Sequence, residues 1–155
     1  MRVWDLPIRL FHWLLVILVA VSWLSAGERR MDIHLLSGLG VLGLVIFRLL
    51  WGLFGSSTAR FASFVRGPGA VIAYLRGQGG ERRAGHNPLG ALSVGALLGL
   101  LVVQVGTGLF ASDSDGLNYG PLNFLVSYDL ADTLTDIHET AFDLLTVLIV
   151  LHLAA

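Results

Sequence analysis

Residues 137–155 read IHETAFDLLTVLIVLHLAA, with long aliphatic runs between histidines at 138 and 152. A helix needs roughly 20 residues to cross the hydrocarbon of a bilayer, so this segment is just long enough for one span. Its two histidines are fourteen positions apart. At about 100° per residue they return to within roughly 40° of one face, separated by roughly 21 Å along the axis. One face of one helix therefore offers an imidazole toward each side of a membrane.

Three more apolar blocks precede it, at about residues 10–26 (LFHWLLVILVAVSWLSA), 34–54 (HLLSGLGVLGLVIFRLLWGLF) and 89–111. None alternates with period two, which argues for helices over barrel strands. The 155-residue chain is 55% hydrophobic and only 14% charged, against roughly 25% charged in a soluble domain. The expectation is an all-α, integral membrane four-helix bundle forming one domain over residues 1–155, surrounded by the lipid bilayer and without a nucleic-acid partner. The first block, with its basic start and the small residues Ser25 to Gly27, has the outline of a secretory signal. Trp23 beside the would-be cleavage point and a histidine inside the run argue for a retained span. Gly38, Gly40, Gly43, Gly90, Gly95, Gly99, Gly106 and Gly108 permit either close helix packing or the approach of a flat cofactor.

The formal net charge is −1, and all ten basic residues are Arg. Arg2 and Arg9 mark the N-terminus, and Arg60, Arg66, Arg76, Arg82 and Arg83 face one acid, Glu81, between the second and third blocks. The connector before the last block carries Asp113, Asp115, Asp129, Asp132 and Asp136 and no basic residue. The positive-inside bias therefore places both termini and the Arg-rich loop in the cytoplasm. The discordant count is the GERRMD turn, where Arg29 and Arg30 lie outside accompanied by Glu28 and Asp32. FASFVRGPGAVIAYLRG is expected to lie along the inner interface, and YGPLNFLVSY, residues 119–128, along the outer one. Trp4, Trp13, Trp23, Trp51 and Tyr128 read most simply as interfacial anchors.

The chain has no Cys, which removes disulfides, iron–sulfur clusters, thiolate metal sites and covalently attached haem, but its histidines fall into two layers. His12 and His152 lie near the cytoplasmic ends of the first and fourth blocks, while His34 and His138 open the second and fourth blocks at the outer face. Ionisable side chains inside membrane helices point to function, and neutral imidazole is the usual nitrogen ligand of haem iron. The pattern suits two b-type haems, each held by two histidines. Zinc would want three or four ligands in one sphere. With both axial positions filled, the chemistry is outer-sphere electron transfer. Arg48, fourteen residues beyond His34, would pair with an inner propionate or hold a quinone carbonyl. Arg9, about a turn before His12, suits a propionate or lipid headgroups equally well. His86 could donate to a propionate, pass a proton to a quinone or cap the third helix; Gln104 and Thr107 are polar positions in a helix expected to supply packing.

Trp4-Asp5-Leu6-Pro7 with the run Arg9-Leu10-Phe11-His12-Trp13, His34-x-x-x-Gly38 leading to Arg48-x-x-Trp51-Gly52, His86-Asn87-Pro88-Leu89-Gly90, and Asp136-Ile137-His138-Glu139 with Leu151-His152 together resemble the bacterial cytochrome b561 family. That family overlaps the b-type cytochrome subunits of nickel–iron hydrogenases. The resemblance implies two b haems in the bacterial inner membrane, His12 pairing with His152 on the cytoplasmic side and His34 with His138 on the periplasmic side. It also implies electron exchange between the quinone pool and a periplasmic redox protein, a hydrogenase or superoxide. Two features depart from relatives: the absence of Lys, which removes a lysine-assisted quinone or superoxide site, and a chain that stops three residues after His152 instead of continuing into a basic tail. The expected function is transmembrane electron transfer coupling membrane quinone to a periplasmic partner, with quinone oxidoreductase activity left open. The acidic outer connector suits a basic c-type cytochrome, or is a solvated face left by the positive-inside bias. The alternatives are a membrane-anchor cytochrome b subunit of a larger dehydrogenase or hydrogenase complex, and a haem-free protein using histidines for protons.

Overall fold

The computed structural model describes residues 5–64, 69, 76, 88–113 and 115–154. Four long helices dominate it: α1 Leu6–Gly27, α2 Met31–Phe54, α3 Pro88–Gly108 and α4 Tyr128–Ala154. Each is long and apolar enough to cross a membrane. The 22 residues of α1 reach about 33 Å at 1.5 Å per residue, matching a hydrocarbon core of about 30 Å. A one-turn helix at Phe61–Phe64 and a 3-10 turn at Asn123–Leu125 complete the helical elements.

Local chemistry sets the ends. Asp5 caps α1, its Oδ1 accepting the Ile8 N–H at 3.0 Å, with Pro7 in the first turn. Arg29 takes a positive φ of 57° to reverse the chain between α1 and α2. The Gly55 N–H closes α2 on the Trp51 carbonyl at 2.9 Å. Ser127 Oγ accepts the Leu130 N–H at 3.3 Å where α4 begins.

α1 packs along α2, α3 along α4, and α2 meets α3. No comparable backbone packing joins α1 to α4 among the described residues. Those two meet through side chains, with the Trp23 and Phe142 rings 6.1 Å apart. The centre is apolar: Val41, Val45, Leu101 and Leu145 form the buried cluster, with Leu15, Leu18 and Val19 of α1 against it. Leu145 lies midway between His138 and His152 in α4. Outward, α1 shows Trp13, Ile17 and Leu24, all more than half exposed, as a helix facing lipid does.

The boundaries shift from those expected in one informative place. α4 starts at Tyr128, nine residues before the expected 137, so Asp129, Asp132 and Asp136 are helical. The Ser127 cap and acids next to the positive end of the helix dipole favour helix there even though the segment is too polar for hydrocarbon. His138 therefore lies ten residues inside the helix instead of opening it. α1 begins at Leu6 instead of 10 and α2 at Met31 instead of 34. α3 ends at Gly108 instead of 111, because the chain turns back there and Leu122 N–H and Gly120 N–H bond the Leu109 and Ala111 carbonyls, each at 2.8 Å. At Gly120 a Cβ would lie 2.4 Å from the Gly108 and Leu109 carbonyl oxygens, so only glycine permits that approach. Of the expected outer interfacial piece, the 3-10 turn is the only helical part before α4. Most of the inner piece, and His86, lie outside the described residues.

Candidate functional site

The bundle has two chemically different ends. At one, the α1–α2 turn meets the 109–127 connector through Arg29 and Asp115, 3.6 Å apart. At the other, the start of α1 meets the end of α2, where Trp51 Nε1 donates to Asp5 Oδ2 at 3.1 Å. His34 and His138 lie toward the first end; His12, Arg48 and His152 lie toward the second.

The His34 and His138 rings approach to 6.1 Å between centroids, at 83° to one another. Each is oriented by the helix beside its own. His34 Nδ1–H donates to the Ser22 carbonyl of α1 at 2.9 Å, with Ser22 Oγ at 3.1 Å. His138 Nδ1–H donates to the Gln104 carbonyl of α3 at 2.9 Å, with Thr107 Oγ1 at 3.3 Å. A carbonyl only accepts, so both rings carry their proton on Nδ1 and keep the lone pair on Nε2. The His138 lone pair receives Gln104 Nε2–H at 3.1 Å, and Gln104 Oε1 is buried without a partner. Two metal–nitrogen bonds of about 2 Å each plus the ring radii give a span of about 6 Å, which is the separation the two imidazoles have.

Both histidines line a cavity of about 980 Å³ whose walls include Gly38, Val41, Leu101, Gln104 and Gly108. A methyl at Gly108 would fall 2.8 Å from His138 Cε1, so the bare backbone there makes room for the ring. Glu139 and Asp143 also line this cavity. Among the described residues no group of three or more His, Asp or Glu could converge on a metal ion.

At the other end, His12 is half-buried and within electrostatic reach of His152. Its ring stands edge-on to Trp13 at 5.5 Å. Arg48 is 6% exposed and so does not reach a lipid surface, whereas Arg9 is exposed. The Arg48 guanidinium lies over the Phe61 ring at 4.5 Å, and its Nη1 is buried without a hydrogen-bond partner.

Several contributors were not legible as such in the sequence. Ser22 carried no signal. Gln104 and Thr107 stood out as polar, but nothing in α3 announced that they reach His138. Asp5 stood only within a quoted motif and Ser56 carried no signal; Ser56 Oγ donates to Asp5 Oδ2 at 2.5 Å. Glu139 and Asp143, ionisable groups inside an apolar helix, were the signal most available and unused.

A helical membrane bundle with histidines toward both ends is compatible with a membrane cytochrome b. The profile of the prokaryotic cytochrome b561 family matches residues 3–155, and the chain belongs to that family. It is an electron-transfer protein of the b561 type. No curated protein and no solved structure matches it.

Proposed function

We propose that residues 1–155 form one dihaem domain that carries electrons across the bacterial inner membrane, between membrane quinone and a periplasmic redox protein. His34 and His138 would hold one b haem, His12 and His152 the other. The observation that carries this reading is the outer pair: imidazoles 6.1 Å apart across a glycine-walled cavity, each with Nδ1 tethered to a neighbouring helix carbonyl at 2.9 Å. Those tethers fix the ring planes and leave Nε2 for iron. Iron at His138 would displace the Gln104 amide from that lone pair.

The inner half is supported by different chemistry. A buried guanidinium with an unpartnered Nη1 suits a carboxylate such as a haem propionate, and Arg48 offers one two turns before the end of α2. Arg9, exposed a turn before His12, is the second candidate for an inner propionate. When bound, the two haems supply reversible one-electron chemistry near each membrane face. The protein would orient the ligand rings and exclude water from the centre with Leu145, Val45 and Leu101. The charge distribution supports both termini on the cytoplasmic side, with the acidic connector facing the periplasm and a basic c-type cytochrome as the suited partner.

The test is spectroscopic. Purified protein is expected to contain two low-spin b haems per chain. Replacing His34 or His138 with Ala should remove the same one of the two signals, and replacing His12 or His152 the other. Two intact haems in all four variants, or a colourless protein, would overturn the assignment.

A further inference from the structure

The start of α1 is bound to the end of α2 by a carboxylate doing more than capping. Asp5 accepts three hydrogen bonds from residues far apart in sequence: the Ile8 N–H at 3.0 Å, Trp51 Nε1–H at 3.1 Å and Ser56 Oγ–H at 2.5 Å. A cap needs only the first of these. The other two come from the last turn of α2 and the chain just beyond it, and they turn a local capping residue into the junction of both helices.

Arg48 lies one turn before Trp51 on α2, within electrostatic reach of Asp5 but not in an ion pair with it. The Phe61 ring covers the guanidinium at 4.5 Å. That ring is seated on Gly52, where a Cβ would fall 2.1 Å from it, so the absence of a side chain one turn after Arg48 is what lets the aromatic floor come close. Arg60 Nε donates to the Gly55 carbonyl at 3.1 Å, holding the chain that carries Phe61 folded under α2. A guanidinium buried to this degree is costly unless its charge is compensated. Among the described residues Asp5 is the carboxylate within electrostatic reach, and it is held by three neutral donors without consuming Nη1, which has no hydrogen-bond partner among the described residues.

We infer that Asp5 is a positioning residue for the inner electron-transfer site: it is the fixed counter-charge that keeps Arg48 buried with Nη1 turned toward an anionic ligand, and together the two set the charge felt at that site. This rests on the dihaem reading, in which the anionic ligand is a haem propionate. Trp51 and Ser56 act on the site through Asp5, and Phe61 through Arg48.

The sign of the effect follows from charge alone. Reduction adds an electron, so removing a nearby negative charge favours the reduced form and raises the midpoint potential, whereas removing a positive charge lowers it. Asn at position 5 keeps the capping acceptor, so Asp5→Asn should fold and load cofactor normally. Potentiometric titration of the purified dihaem protein, followed optically, should show one of its two midpoint potentials raised in Asp5→Asn and the same one lowered in Arg48→Gln. In the Arg48→Gln background, adding Asp5→Asn should shift that potential by a different amount than it does alone, because the part of the effect that passes through Arg48 is then absent. Unmoved potentials in Asp5→Asn, or an equal shift with and without Arg48, would overturn the inference. Absence of two haems in the unsubstituted protein would instead overturn the reading beneath it, so the two failures are distinguishable.

Discussion

Gly40 and Gly108 look alike as membrane-helix glycines, but their neighbours differ in what they can give. A methyl at Gly40 would meet Leu18 Cδ1 at 2.9 Å, the far end of a side chain that can rotate away. A methyl at Gly108 would meet His138 Cε1 at 2.8 Å and Nδ1 at 3.1 Å, on a ring pinned to the Gln104 carbonyl. Gly40→Ala is therefore expected to leave haem content and melting temperature nearly unchanged. Gly108→Ala should lower the occupancy of one haem and not the other, measured by optical spectra of matched preparations; equal haem content in both variants would contradict it. A second expectation at this scale concerns Asp113 in the outer connector. Hydrogen bonds from the Asn118 side chain and from the Asn118, Leu117 and Gly116 backbone hold its carboxyl below the ordinary value, against a small opposing effect of burial. A depressed carboxylate stabilises the fold above its unfolded value, near pH 3.9, and that contribution disappears as the pH falls through the lowered folded value. Hydrogen exchange at the Leu117 amide, which donates to Asp113 Oδ1 at 2.8 Å, should stay slow at mildly acid pH and lose protection only below the ordinary carboxylate range, whereas in Asp113→Ala it should be fast throughout.

The helices divide their work between ends and middle. Leu145, 2% exposed at the centre of α4, packs with Val41, Val45 and Leu101 between the two histidine levels. Leu145→Ala should destabilise by about 2–5 kcal/mol through lost contacts and a central cavity. Leu145 also lines the cavity shared by His34 and His138, so the haem signal assigned to His12 and His152 should persist to a lower melting temperature; its loss at room temperature would show that the middle of α4 positions those ligands too. The four spans were legible because lipid demands unbroken apolar length, a property that a linear sequence displays directly. That His138 and His152 share one helix was legible for the same reason. The start of α4 was not, since hydropathy marks where the bilayer begins and the helix begins earlier, at a serine cap in an acidic segment. Nor was the Asp5 junction, whose partners Trp51 and Ser56 are 46 and 51 positions away. The same holds for the carbonyls of Ser22 and Gln104, because a backbone acceptor has no side-chain signature.

At the scale of the whole molecule, charge is sorted by end. The end formed by the α1–α2 turn and the 109–127 connector holds Glu28, Asp32, Asp113, Asp115, Asp129, Asp132 and Asp136 among its described residues, and its two arginines are already engaged, Arg29 with Asp115 at 3.6 Å and Arg30 with Asp32 at 3.5 Å. The acids at the start of α4 ride on a helix that extends beyond the apolar stretch, so their charges are carried on a rigid element instead of a floppy loop. Such an end projects a negative field, and a basic redox partner would be drawn to it over a distance set by the ionic strength, about 30 Å at 0.01 M and about 8 Å at 0.15 M. If this face docks the partner, reduction of a small basic c-type cytochrome by the prereduced protein should slow steeply as salt rises between those limits. Asp129→Asn with Asp132→Asn should lower the rate at low salt and flatten that slope, while leaving reduction by quinol at fixed salt unchanged, because neither residue lines the histidine cavity. A slope unchanged by the two substitutions would mean that docking must be sought on another surface.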